Sequence, residues 1–166
     1  LLANPSYTHT DENYVAFYKN PIRAKEDFCK AQEHLNVPFK IVRLPGNNAW
    51  FSRNKIRMSP LVAPVCELLG EVGYIVIGWD LEWCCNKDDY RRPVQNPKQL
   101  VMQILRMYWT KRTFMPDHLV LLIHDRMFRQ KNDTFSLHEL IVRLKKHSFI
   151  NFQTIDNFPG VMSISS

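Results

Sequence analysis

Glycine is scarce in this chain, five in 166 residues, and no strand-to-helix junction carries the glycine-rich loop with which backbone N–H groups cradle a phosphate. That absence sets aside a nucleotide- or phosphate-binding α/β domain. No apolar run approaches the roughly 20 residues that a membrane span requires. The opening residues, LLANPSYTHT, lack the charged-then-apolar order of a signal peptide. The four cysteines, Cys29, Cys66, Cys84 and Cys85, show no zinc-type pairing, and the adjacent Cys84 and Cys85 do not readily bridge to each other. Cys29 and Cys66 fall in helical patterns and read as small buried hydrophobes, so cysteine usage leaves the compartment undecided. Acid is in deficit: 22 Lys and Arg against 16 Asp and Glu give +6, with a pI near 9.2, a balance that favours anionic partners. The cations are scattered apart from RLKKH and YRRP, so nucleic-acid binding is not expected.

What is present is apolar residue in quantity, 45% of the chain, enough for one domain over 1–166 with a core of its own. Four helix-then-strand units repeat along it. Asn20-Pro21 caps a helix with Ala24, Phe28, Ala31 and Leu35 at helical spacing, ahead of the strand FKIVRL. Ser59-Pro60 opens a second helix that stops at Gly70 and Gly73, ahead of YIVIGWD. Asn96-Pro97, with Gln99 three residues past the cap, opens a third through Leu100, Ile104 and Tyr108, ahead of HLVLLIH. The capping box Ser136 to Glu139 opens a fourth, ahead of FINFQTID.

Such alternation predicts parallel strands joined by right-handed crossovers and covered by helices. In that architecture ligands meet the carboxyl ends of the strands. Those ends carry Arg43, Asp80 with Glu82, His124 with Asp125, and Asp156, so separate strands deliver ionisable groups to one rim. The long connections PGNNAWFSRNKIRM and EWCCNKDDYRRPVQ fall on the same side and are expected to hold substrate. Trp50, Phe51, Trp79 and Trp83 lie in or beside them, and exposed aromatic faces suit sugar rings. His34, His118, His138 and His147 sit near helix or strand ends and read as structural.

With those residues in hand, the chain resembles the NodB-homology polysaccharide deacetylases, carbohydrate esterase family 4. Arg43-Leu44-Pro45 followed by Gly46 is similar to the family's Arg-x-Pro strand end, WDLEW to its Asp motif closed by Trp, and Leu122-Ile123-His124 to its Leu-x-His strand end. The resemblance implies a distorted parallel (β/α) barrel and metal-assisted hydrolysis of N-acetyl groups on a cell-wall or peptidoglycan-type glycan. It also implies a periplasmic, cell-surface or secreted setting. His124 would then be the general acid, Leu122 would line the acetyl pocket, and Pro45 and Trp50 would be further substrate-binding residues. Arg43 would orient the catalytic carboxylate, Asp80 or Glu82 would hold His124, and Trp83 would wall the groove. A divalent metal, zinc by resemblance, would take His9 as a ligand.

The sequence departs from that pattern at its start. Pro5 stands where the family has its first metal histidine, and the first strand, with its Asp-Asp pair, would precede Leu1. Asp11 and Glu12, near His9, are the acids at hand to substitute. The expected barrel is therefore incomplete along one side, an edge that a homodimer would cover. Two function classes follow: a metal-dependent polysaccharide deacetylase, and a non-catalytic carbohydrate-binding or scaffold domain derived from the same family.

Overall fold

A computed structural model describes residues 6–8, 13–36, 39–52, 55–86, 93–128 and 131–161. The chain folds as a mixed α/β protein of two compact units, Leu1–Gly78 with Gln153–Ser166, and Trp79–Phe152. His9, Asp11 and Glu12 lie outside the described residues, as does Pro5.

The first unit begins with α1 (Tyr14–Tyr18) and α2 (Pro21–Leu35). As the sequence predicts, Asn20 caps α2, its side chain accepting from the Arg23 N–H at 3.2 Å, with Pro21 in the first turn. Asn36 ends it in the left-handed region at φ 48°. The strands are short: β1 (Ile41–Val42), β2 (Trp50–Phe51), β3 (Ile56–Arg57) and β4 (Ile75–Val76), with α3 (Ala63–Glu71) before β4. They form one sheet in the order β1-β4-β2-β3. β1 and β4 run parallel, while β2 runs antiparallel to both β3 and β4.

That antiparallel pair corrects the expectation that all strands point one way. Part of the stretch read as a long substrate loop is instead an antiparallel pair, β2 with β3, because Trp50, Phe51 and Ile56 are strand-formers. Ser52 closes it, its N–H donating to the Lys55 carbonyl at 3.2 Å. Beneath the sheet, Phe28, Val42, Leu44, Val65, Leu69 and Val76 are buried together. Each such side chain contributes about 1.5–3 kcal/mol when it leaves water. Gly78 is required where it stands, since a Cβ there would meet the Trp50 indole nitrogen at 2.5 Å and the Asn48 carboxamide oxygen closer still.

In the second unit β5 (Leu81–Glu82) and β6 (Leu121–Leu122) pair in parallel, joined through α4 (Pro97–Trp109), and α5 (Lys131–Leu144) follows. α4 has the predicted capping box, with the Asn96 side chain taking the Gln99 N–H and the Gln99 side chain taking the Asn96 N–H, both at 2.9 Å. α5 starts at Lys131, a full turn before the predicted cap at Ser136, which sits inside the helix. α4 and α5 pack over Trp83, Leu100, Ile104, Met127, Leu140 and Leu144. FINFQTID is not a strand. Residues 151–154 are exposed coil and Ile155–Asn157 make a single 3₁₀ turn, because the segment spans the boundary between the units and lies along neither sheet. Among the described residues no sheet closes into a barrel, and no helix is long and apolar enough to cross a membrane.

Burial makes part of the first unit sensitive to alkali. The Cys66 thiol, 0% exposed, is pushed from its ordinary 9.0 up to about 12 by burial, and further by Glu67. Above pH 9.0 the unfolded chain releases this proton while the folded chain keeps it. Its contribution to stability is therefore complete below that pH and is lost as pH rises towards about 12. Urea unfolding of Cys66→Ala, followed from neutral to alkaline pH, is expected to show a decline shallower than wild type by about 1 kcal/mol per pH unit. Parallel declines in the two proteins would refute this.

Candidate functional site

The residues singled out from sequence divide between the two units. Arg43, Pro45 and Trp50 belong to the first, whereas Asp80, Glu82, Trp83, Leu122 and His124 belong to the second.

In the second unit the parallel register sets Glu82 opposite Leu122, and the chain leaves β6 two residues later at His124. Both side chains therefore emerge at the carboxyl ends of adjacent strands, and His124 Nε2 meets Glu82 Oε1 at 3.2 Å. The His124 carbonyl accepts the Met127 N–H at 3.0 Å, starting the 3₁₀ turn Asp125–Phe128. This anchors the backbone from which the imidazole projects. The two side chains are 33% and 36% exposed, open enough for a solute to reach and covered enough to be held in place. A pair so exposed is worth about 0–1 kcal/mol to the fold. Chemically, a carboxylate on one ring nitrogen fixes the tautomer and lets the other nitrogen exchange a proton with a bound molecule.

Of the two carboxylates that the sequence left open as partners of His124, Glu82 faces it. Asp80 is engaged elsewhere, and it stands one residue before β5 rather than at a carboxyl end. Its Oδ1 accepts the Phe114 N–H at 2.6 Å and its Oδ2 the Val120 N–H at 2.8 Å. The Asp80 N–H donates to the Val120 carbonyl at 2.9 Å. Asp80 is thus the staple that ties the start of β5 to the start of β6.

Trp83 does not wall a groove. It is fully buried, donating from its indole nitrogen to the Gln95 carbonyl at 2.9 Å and packing edge-on against Phe128. Trp50 is likewise buried, with the Phe158 ring 5.4 Å away. Neither has an open face for a sugar, because hydrophobic burial claimed the largest apolar side chains on these short strands first. Leu122 is buried beside the strand end.

Arg43-Leu44-Pro45-Gly46 serves a turn in the first unit. Leu44 is buried, the Pro45 carbonyl accepts the Tyr18 hydroxyl at 2.7 Å, and Gly46, at φ 65°, leaves room for the Tyr14 ring. Arg43 itself is less settled. Burial lowers its pKa, and its Nε is buried with no hydrogen-bond partner among the described residues. Asp156 Oδ1 in the same unit is in the same condition.

Two features were not foreseen. The Cys84 thiol, two residues past the end of β5, donates to the Glu82 carbonyl at 3.6 Å, and burial followed by the Glu82 charge raises its pKa. In the first unit a cavity of about 230 Å³ is lined by Thr8, Asn13, Phe17, Asn20, Arg23 and Asp27. The helix caps Asn13 and Asn20 are its only trace in sequence.

Among the described residues no three His, Cys, Asp or Glu side chains come together as a metal site. His9, the one ligand to the zinc implied by resemblance, lies outside the described residues. No family model matches the chain, and no curated protein matches it.

Removing the Asp80 carboxylate would strand two backbone N–H groups. Asp80→Ala is expected to cost about 2–4 kcal/mol in urea unfolding, and Asp80→Asn, which keeps one acceptor, less. A change within about 0.5 kcal/mol for Asp80→Ala, the range of ordinary surface substitutions, would deny the staple its role.

Proposed function

We propose that this protein is a polysaccharide deacetylase-type hydrolase that removes N-acetyl groups from a glycan, with His124 as proton donor to the departing amine. The observation that carries the reading is the 3.2 Å contact between Glu82 Oε1 and His124 Nε2 at the carboxyl ends of two parallel strands. Amide hydrolysis needs such a group because the amine is a poor leaving group until its nitrogen is protonated. An imidazole can both carry and release that proton. With Nε2 held by Glu82, Nδ1 is the atom that serves the substrate. Leu122 beside it fits a small apolar acyl methyl. The incomplete (β/α) barrel of the deacetylase type is the frame this reading assumes, and dependence on a divalent metal is part of it.

A second reading rests on the donor set. With no group of three metal-ligating side chains among the described residues, a glycan-binding domain that has kept the strand-end pair but not the hydrolytic centre is the alternative.

The test is acetate release from N-acetylglucosamine oligomers with zinc or cobalt supplied and, separately, chelated. The deacetylase reading expects metal-dependent release that falls by about 10²–10⁴ in His124→Ala. Glu82→Gln is expected to keep part of the activity with a shifted pH profile. Oligomer binding without acetate would establish the second reading. Neither binding nor release would remove both.

A further inference from the structure

α4 contains no acidic residue, and neither does the whole stretch 93–116. Its outward side carries Met102, Arg106 and Trp109, spaced four and three residues apart and hence along one face of the helix. Trp109 is 68% exposed and Met102 62%, which is the reverse of what a solvated helix face usually offers. Trp109 does not stand alone. Its ring lies 5.1 Å from Tyr108 and 5.8 Å from Phe149, and Tyr108 stacks on Phe149 at 5.0 Å and 22°. His147 adds a fourth ring 5.6 Å from Phe149.

Cations adjoin this cluster along the chain. Lys111 lies over the Tyr108 ring at 5.1 Å while pairing with Asp117 at 2.6 Å. Arg112 follows it, and Lys145 and Lys146 immediately precede His147, all three exposed. The residues from Leu140 to Ile155 add no acid. An aromatic and aliphatic surface with cations beside it in the chain, and Asp117 as the acid paired to Lys111, calls for a partner that is both anionic and able to receive apolar side chains.

We infer that this face of the second unit docks on the surface of an anionic lipid bilayer. The mix of side chains favours lipid over a glycan. Tyr108 stacks one face on Phe149 and has Lys111 over its ring, and the flexible Met102 thioether offers a sugar ring no platform. The exposed Trp109 indole and Met102 thioether suit the boundary between headgroups and acyl chains. Lysines and arginines beside them add attraction to negative headgroups, about fivefold in affinity for each. The connectivity gives the docking a direction. α4 crosses back from the carboxyl end of β5 to the start of β6, so Trp109 lies at the opposite end of this β-α-β crossover from Glu82 and His124. Docking through Trp109 leaves that pair facing away from the lipid.

The experiment is sedimentation of the full chain with unilamellar vesicles of phosphatidylcholine, alone or containing phosphatidylserine, with tryptophan emission recorded in parallel. Binding is expected only with phosphatidylserine, weakened by salt, and with a blue shift. Trp109→Ala is expected to abolish the shift and weaken binding about tenfold or more. Lys145→Gln/Lys146→Gln is expected to weaken binding at least tenfold with Trp109 intact. Both changes are at exposed positions, and thermal melts matching wild type would show that folding is retained. Equal binding to neutral and anionic vesicles, no binding to either, or wild-type binding by both variants would overturn the inference. So would a blue shift, lost in Trp109→Ala, produced by a soluble anionic polysaccharide but not by vesicles.

Discussion

Asp80 accepts backbone N–H groups from Phe114 and Val120 with its two carboxylate oxygens, while its own N–H reaches the Val120 carbonyl. β5 and β6 are two residues each, and a ladder that short has little power to choose between registers, although a slip of one residue would turn every side chain to the other face. The carboxylate makes the choice. Once Val120 is fixed against Asp80, Leu121 pairs with Leu81 and Leu122 with Glu82, and His124 comes within reach of the Glu82 carboxylate. Even the long connection after α4 is held at Phe114 by the same side chain. The geometry of the strand-end pair is thus inherited from an interaction at the other end of the strands.

Chemistry and stability separate cleanly in this unit. Trp83, Leu100, Met127 and Leu140 supply its apolar burial, whereas Glu82 and His124, about one-third exposed, supply almost none. Side chains that do little for the fold are free to serve a ligand. Arg43 presents the converse in the first unit. A guanidinium nitrogen buried without an acceptor costs stability, and such a cost is tolerated where an anionic group meets it.

Local chemistry in this chain was legible from sequence wherever neighbours in the chain decide the outcome. The caps at Asn20 and Asn96, and the prolines after them, depend only on residues within one turn. The cluster of ionisable groups at the end of β6 was legible for a related reason, since an apolar run ending in charge marks where a strand leaves the core. The rest depended on partners distant in sequence. FINFQTID has a strand's alternation, but no sheet edge lies along it. Trp50 and Trp83 sit in loops by spacing, yet each is buried against a ring distant in sequence, Phe158 and Phe128, and neither partner can be seen in one dimension. Asp80 and Glu82 were equivalent candidates on paper. What separates them is a contact with backbone groups 34 and 40 residues away.

The second unit is nested within the sequence of the first, between Gly78 and Gln153, and this nesting imposes an order on biosynthesis. Trp50 shares its burial with the ring of Phe158, which leaves the ribosome about 100 residues later, roughly 5–20 s at ordinary elongation rates. Throughout that interval the second unit emerges complete, with all of its strands and helices, while the first still lacks its closing segment. The unit whose synthesis begins first is therefore the last to be sealed, and its unfinished indole surface is the one a nascent-chain chaperone would meet.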